Sequence, residues 1–581
     1  MRRYFQQGCG KLVTERAGFA VLSLIATAVY LLTMDRSASW WDCGEFIATT
    51  WQLGVGHPPG APFYQLVAHV VMLLSFGNTM LVAPLCNALS AVCSGITVGV
   101  LFLTVVELLR RDGSAEPWQI RGAATGALCY LFCDTAWFSA VESEVYGMAM
   151  LFCSLDVLLA LRWRRTRNGR LLPMLALLVG LGVGVHLMTL LVVPALLLVV
   201  LPECKIGPLA KRLPVLLAFF ILGITPYAIV PIRAAANPPI NEGNPSTAES
   251  FMSYVRREQY AKAPLYPRMW RERDEANTAY WSGGRDGVVG NAIYYGGYQL
   301  GYMYGRYLMY NYIGRENLKS GRMVVFVLPV LLALWGLLCH RRKNRRGYWT
   351  VMLLFLFGGV LLNLYLNHPC YEPRERDYAY VLSFYAVALW IGIGAADLCK
   401  RMHGKAWQLL LLLAPLTMAV GNWSDHDRSR CHAVHDIALN HLQSCDHDAI
   451  LITLGDNDTF PLWYLQHVEG RRTDVSVYNI GLTGYDNLMR ILDYNAYCRP
   501  VYVSQYFYRR YGSLYGNRLR CEGFCWRLLP TADGVDDREP LMRHVADSIE
   551  WHITAEEYKD RVTQSFLRDW EETTGLAVRL K

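Results

Sequence analysis

The sequence predicts a polytopic α-helical membrane protein with a small soluble α/β domain at its carboxyl end. Three observations predict it. Charged residues make up 18% of the 581-residue chain and hydrophobic residues 53%, whereas a soluble domain carries about a quarter charged. The apolar residues fall in long runs such as LLPMLALLVGLGVGVHLMTLLVVPALLLVVL (171–201), and about 20 such residues cross a ~30 Å hydrocarbon layer as a helix. The stretch 422–581 breaks this pattern. In it AILITL (449–454) and VSVYNI (475–480) read as buried strands separated by a loop and a short helix.

The first apolar run, 17–34, follows a basic start, lacks a small-residue cleavage site and leads into Trp40 and Trp41. It reads as a retained anchor rather than a signal peptide. Further spans are expected near 81–109, 120–138, 145–161, 171–186, 188–201, 212–232, 321–339, 348–366, 377–398 and 405–421. The stretch 62–76 is short and bounded by Pro and Gly, so it reads as an interfacial helix. With the amino terminus in the cytoplasm, Arg110 and Arg111, RWRRTRNGR (162–170), HRRKNRR (340–346) and KRMHGK (400–405) all lie inside. That is the asymmetry of the positive-inside rule. The expected organisation is a membrane domain, 1–421, with a first outer loop 35–80 and a large outer loop 233–320, followed by an extracytoplasmic domain, 422–581.

The net charge of +8 sits largely in those clusters. It therefore speaks for membrane orientation and against a nucleic-acid partner. Sixteen cysteines show no zinc-like spacing, though Cys521 and Cys525 could join a disulfide outside the cytoplasm.

With this topology the unusual polar motifs gather on one face. Asp42, Glu45 and His57 lie in the first outer loop, and Glu142 and Glu144 (SAVESEVYGM) in the second. His186 and Arg233 lie at outer span ends, and Tyr371, Arg374, Glu375 and Arg376 in NHPCYEPRERDYAY (367–380). Ionisable groups near hydrocarbon are costly, about 2.5–3.5 kcal/mol each at a span centre, so the collection points to a function. Each residue also has a plainer reading. Asp42 or Glu45 can cap a helix starting near Cys43, His57 can shape a turn beside Pro58 and Pro59, and the Arg374–Arg376 run can be a solvated ion-pair cluster.

A carboxylate can serve as general base on a hydroxyl. Arginine binds phosphate bidentately and stays charged. Tryptophan and tyrosine suit both the membrane interface and the face of a sugar ring. Together these groups fit sugar transfer from a lipid phosphate to an acceptor outside the cytoplasm, where no nucleotide sugar is expected.

The first-loop acids followed by GHPPG resemble the GT-C superfamily of polyprenyl-phosphate-sugar-dependent glycosyltransferases. WDCGEFIATTWQLGVGHPPGAPFY, SAVESEVYGM, YEPRERDYAYVLSFYAVALWIGIG and GDNDTFPLWYLQHVEGRRTDVSVYNI more closely resemble a protein O-mannosyltransferase family long catalogued as a domain of unknown function. The first three motifs cover the membrane part, and the fourth is similar to the tail of the family's bacterial branch. The resemblance implies a GT-C-like fold and inverting transfer, of mannose, from polyprenyl-phosphate-mannose to Ser or Thr of exported proteins. By the same resemblance Asp42 is the candidate base and Glu45 shares that role or orients the acceptor. Arg374, Arg376 and Arg233 hold the lipid phosphate, and His57 shapes the loop or contacts the donor. Trp41, Glu142, Glu144, His186, Tyr371 and Glu375 complete the set as candidate substrate contacts.

No metal ligand set stands out, and metal dependence stays open. The Asp-x-Asp of GDNDT (455–459) reads as a structural or docking turn rather than a metal–nucleotide-sugar motif. The expected setting is a bacterial inner membrane with the site and tail on the periplasmic side. A transporter or lipid flippase using the same acids is the competing class. It calls for mid-span charges and related halves, and neither is evident. A receptor with a binding tail leaves the first-loop acids unexplained.

Overall fold

The computed structural model describes residues 2–110, 113–260, 262–270, 275–315, 323–370, 374–402, 408–495, 498–529, 552–555, 557–574 and 578. Helix is present in each of the eleven apolar stretches expected to span. Among the described residues, six helices are long and apolar enough to cross a membrane: Thr14–Thr33, Thr79–Leu109, Val145–Thr166, Ala210–Ala235, Arg345–Leu366 and Asp377–Arg401. The stretch expected as one span at 120–138 is two helices, Pro117–Leu131 and Asp134–Ala140. Cys133 takes an extended conformation between them and breaks the hydrogen-bond ladder. The stretch 62–76 forms a helix, Pro62–Met72, closed by a 3₁₀ turn at Leu73–Ser75. Proline at its first position is pre-set for a helical start.

The helix Val381–Arg401 is the centre of the membrane part. Its residues from Val381 to Asp397 are all buried, and it packs against Pro117–Leu131 and Leu328–Lys343. A helix apolar on all sides belongs inside a larger bundle. Tyr385 meets the ring of Tyr130 edge-on at 5.5 Å. This fixed helix sets the depth at which the preceding residues, Arg374 to Tyr380, emerge.

The carboxyl-terminal region builds a five-stranded sheet in the order β2-β1-β3-β5-β4. The strands are β1 (Ile450–Thr453), β2 (Ser476–Asn479), β3 (Val501–Ser504), β4 (Leu519–Glu522) and β5 (Cys525–Leu528). β1 is parallel to both β2 and β3, while β5 pairs antiparallel with β3 and β4. The two runs read from sequence as strands are β1 and β2, with helix Asp456–His467 between them. β3 and the β4–β5 hairpin complete the sheet. The disulfide considered between Cys521 and Cys525 is absent, and both thiols are free. Cys521 stands opposite Trp526 and Cys525 opposite Glu522, so strand alternation sends the two side chains to opposite faces.

This region sits directly on the membrane part. Helix Asp456–His467 packs on helix Cys43–Gln52, so closely that a Cβ on Gly44 would lie 2.5 Å from the carbonyl oxygen of Phe460. Trp40 stacks on Phe566 at 5.0 Å and donates from Nε1 to Thr563 Oγ1 at 3.1 Å.

Candidate active site

The first loop turns into helix Cys43–Gln52 through Trp41, whose φ of 65° is left-handed. Few non-glycine residues adopt that conformation. Here the Trp41 N–H donates to Asn457 Oδ1 at 2.6 Å, so the start of helix Asp456–His467, which the GDNDT segment forms in place of the expected turn, holds the backbone in place. Asp42 occupies the N-cap position, but its side chain makes no capping hydrogen bond. It turns instead to Arg374, with Oδ2 3.4 Å from Nη1.

Arg374 is the hub. Its other nitrogen, Nη2, lies 3.0 Å from Glu144 Oε1, and its guanidinium lies over the rings of Trp41 at 5.0 Å and Tyr378 at 4.3 Å. Two acids and two aromatic faces thus hold one buried cation. Burial works against the charge of Arg374, yet Glu144, Tyr378 and Asp42 hold its pKa well above the usual arginine value. Burial raises the Glu144 carboxyl, while Arg374 pulls it the other way. Arg376 leans on the same wall, donating from Nη1 to Tyr378 Oη at 2.6 Å. Tyr378 packs on Tyr146 at 4.8 Å, and Tyr146 on His186 at 5.5 Å.

Glu45 is fully buried and committed to the turn at His57. Its Oε1 accepts the His57 N–H at 2.6 Å and its Oε2 lies 2.6 Å from His57 Nδ1. Burial opposes charge on His57, but Glu45, with Asp42 and Glu242 behind it, raises the imidazole well above its ordinary value. The turn is clasped from outside by the large loop. Tyr254 Oη donates to the Gly56 carbonyl at 2.6 Å, the Val55 N–H donates to the Ile240 carbonyl at 2.9 Å, and the Val55 carbonyl accepts from the Glu242 N–H at 3.0 Å. Asp456 stands near Asp42 and Glu45. Desolvation, then the charges of those two acids, pushes its carboxyl up to about 6.

The structure thus brings Trp41, Asp42, Glu144, Arg374, Arg376 and His186 into one wall, with Glu45 and His57 supporting it. Three candidates face elsewhere. Arg233 donates to the carbonyls of Leu53 and Gln52 at 2.7 and 3.2 Å, finishing the helix that starts at Cys43. Glu375 pairs with Arg306 at 2.7 Å and Tyr307 at 2.6 Å. Glu142 accepts from Arg428 at 2.6 Å and so joins the membrane part to the tail. Tyr371 lies outside the described residues. Sequence reasoning left out Tyr378, Asn457 and Arg428. The first two sit inside motifs already singled out, and no pattern announced Arg428. Among the described residues no group of three or more His, Cys, Asp or Glu is placed to hold a metal ion.

Comparison with known proteins follows the same lines. Residues 42–206 match the model of the protein O-mannosyl-transferase TMEM260 N-terminal domain, and residues 434–489 that of TMEM260-associated domain 2. The mouse protein O-mannosyl-transferase TMEM260 is 25% identical over 500 residues, covering 81% of this chain and 63% of its own. The Dictyostelium discoideum relative of the same name is 21% identical over 523 residues, covering 82% and 59%. The chain therefore spans about three-fifths of the length of these relatives. Among solved structures, ArnT from Cupriavidus metallidurans bound to undecaprenyl phosphate aligns with TM-score 0.40 and 13% identity, covering 89% of this chain and 98% of that one. AglB from Archaeoglobus fulgidus, with an inhibitory peptide and a dolichol-phosphate, aligns with TM-score 0.49 and 10% identity, covering 87% and 71%. By sequence, this membrane protein is similar to the TMEM260 protein O-mannosyl-transferases in its membrane part, from Asp42 onward, and in the tail segment that meets the first loop.

Proposed function

We propose that this chain is a membrane glycosyltransferase moving a sugar, mannose by its relatives' name, from a polyprenyl-phosphate-linked donor to Ser or Thr hydroxyls of exported proteins. The observation that carries this reading is Arg374, held between Asp42 and Glu144 under Trp41 and Tyr378. A buried guanidinium suits a phosphate, and its aromatic neighbours suit a sugar face. In the step envisaged, the acceptor oxygen attacks the anomeric carbon from the side opposite the phosphate, inverting it. The bond from that carbon to the phosphate oxygen breaks, and its electron pair leaves with the lipid phosphate beside Arg374. The hydroxyl proton passes to Asp42, the most exposed carboxylate of the Arg374 cluster. Glu45 holds the loop through His57 and takes no proton. The setting proposed is a bacterial inner membrane with the site and the 422–581 domain on the periplasmic side of the 1–421 membrane domain. The charge asymmetry of the loops supports that orientation.

Purified full-length protein with polyprenyl-phosphate-mannose and an exported acceptor tests the reading. Sugar transfer that is lost in Asp42→Asn is the expected result. Movement of lipid or solute without transfer would instead support the transporter class.

A further inference from the structure

Arg374 is held by two acids of unequal grip. Glu144 is buried, with a side chain 1% exposed, and its ion pair is the shorter at 3.0 Å. Its backbone is fixed, the N–H donating to the Glu142 carbonyl at 2.9 Å and the C=O accepting from Ser90 Oγ at 3.3 Å. Asp42 is 23% exposed and 3.4 Å away, at the head of a helix it does not cap. The guanidinium also lies over the Trp41 and Tyr378 rings, so Arg374 can keep its place while one partner changes. Of the two bonds, the one to Asp42 is the exchangeable one.

We propose that the donor's phosphate takes the place of Asp42 on Arg374, so that the base is freed only when the donor is bound. This rests on the reading of Asp42 and Arg374 given above. A polyprenyl-phosphate-sugar is a phosphodiester with one negative charge, and so is the carboxylate it displaces; the exchange leaves the charge around the buried cation unchanged. Two oxygens of the phosphate can face a guanidinium, where Asp42 offers one long contact. Without the donor, the Asp42 carboxylate is occupied by the Arg374 guanidinium. With the donor seated, Asp42 stands next to the phosphate-bearing sugar with no cation on it, and the acceptor hydroxyl can hand over its proton. Binding is then ordered, donor before acceptor. Glu144 stays on Arg374 throughout. After transfer the leaving phosphate carries a second negative charge and is held more strongly, until its release returns Arg374 to Asp42.

Titration of a short-chain polyprenyl phosphate into the detergent-solubilised full chain tests the exchange. Asp42→Asn removes the competitor, and we expect binding about fivefold tighter, the scale of a partly exposed ion pair. Asp456→Asn is the control for charge acting through space, since Asp456 lies near both groups and forms no ion pair with Arg374; it should change binding by less than about twofold. Arg374→Ala should lose binding. If Arg374→Ala binds normally, the phosphate reading itself falls. If Arg374→Ala fails to bind while Asp42→Asn binds as wild type or more weakly, the phosphate reading stands and the exchange is overturned. Equal tightening in Asp42→Asn and Asp456→Asn also overturns it. A second measurement needs no variant: an acceptor peptide with its Ser or Thr replaced by Ala should inhibit uncompetitively against the donor. A noncompetitive pattern overturns the ordered exchange.

Discussion

Asp42 and Glu45 stand three residues apart on one helical turn, yet their surroundings give them different work. Both oxygens of Glu45 are spent on His57, whereas Asp42 has one long contact and a path to solvent. With Asp42 in the role proposed above, Asp42→Asn should lower kcat by about 10²–10⁴-fold, the usual loss for a general base, with the thermal midpoint little changed. Glu45→Gln should lower stability as well as activity, because it breaks a buried pair. The pair also predicts a pH dependence. A histidine raised by a carboxylate adds stability in full below its unfolded pKa, about 6.5. That stability fades as the pH climbs through the higher folded value. The gap in melting temperature between wild type and His57→Gln should thus be widest below about pH 6.5 and should narrow in alkaline buffer. A gap independent of pH would mean that His57 holds Glu45 as a neutral donor.

At the scale of elements, the junction between helices Cys43–Gln52 and Asp456–His467 decides whether the wall forms. Gly44 is where the two backbones touch, and Gly44→Ala would press a Cβ to 2.5 Å from the Phe460 carbonyl. Because the obstacle is backbone rather than a mobile side chain, we expect a cost of about 1–3 kcal/mol, read as a lower melting temperature. Asn457→Ala should be milder in stability, about 1 kcal/mol for one lost hydrogen bond. Its effect on transfer should be larger, since Asn457 is what keeps Trp41 in its left-handed turn. The sequence made part of this legible. Apolar period and length announced the helices, the run AILITL announced β1, and the acids beside Trp41 announced the wall. The junction itself was hidden, because GDNDT and WDCGEF lie more than 400 residues apart and no local pattern says that one turn will hold the other. Arg233 was misleading for a related reason. An arginine at a span end looks the same in sequence whether it awaits a phosphate or closes a helix on the Gln52 and Leu53 carbonyls.

Across the whole molecule, the wall draws on segments that only the assembled chain brings together: 41–57, 144–146, His186 and 374–378, held from the tail by Asn457. Among the ties that join the tail to the membrane part besides the Gly44 contact, three lie close to the first loop and its neighbours. These are Trp41 on Asn457, Arg428 on Glu142, and Trp40 stacked on Phe566. Trp40 is 4% exposed, and its nearly parallel stack leaves 5.0 Å between ring centres, so it is an aromatic link between the two. Truncating such a residue leaves a cavity and costs about 3–5 kcal/mol. Here the cost falls on the seam rather than inside either part. Trp40→Ala should therefore uncouple the parts more than it unfolds either. Unfolding followed by heat should change from one transition to two, the first belonging to the tail. Protease should cut within 427–581 sooner, while the membrane part stays intact. Transfer should fall with it, because a loosened tail carries Asn457 away from Trp41 and lets the Trp41 face leave Arg374. If the variant melts in one transition and transfers at the wild-type rate, the tail is no part of the catalytic wall, and Asn457 only finishes a turn.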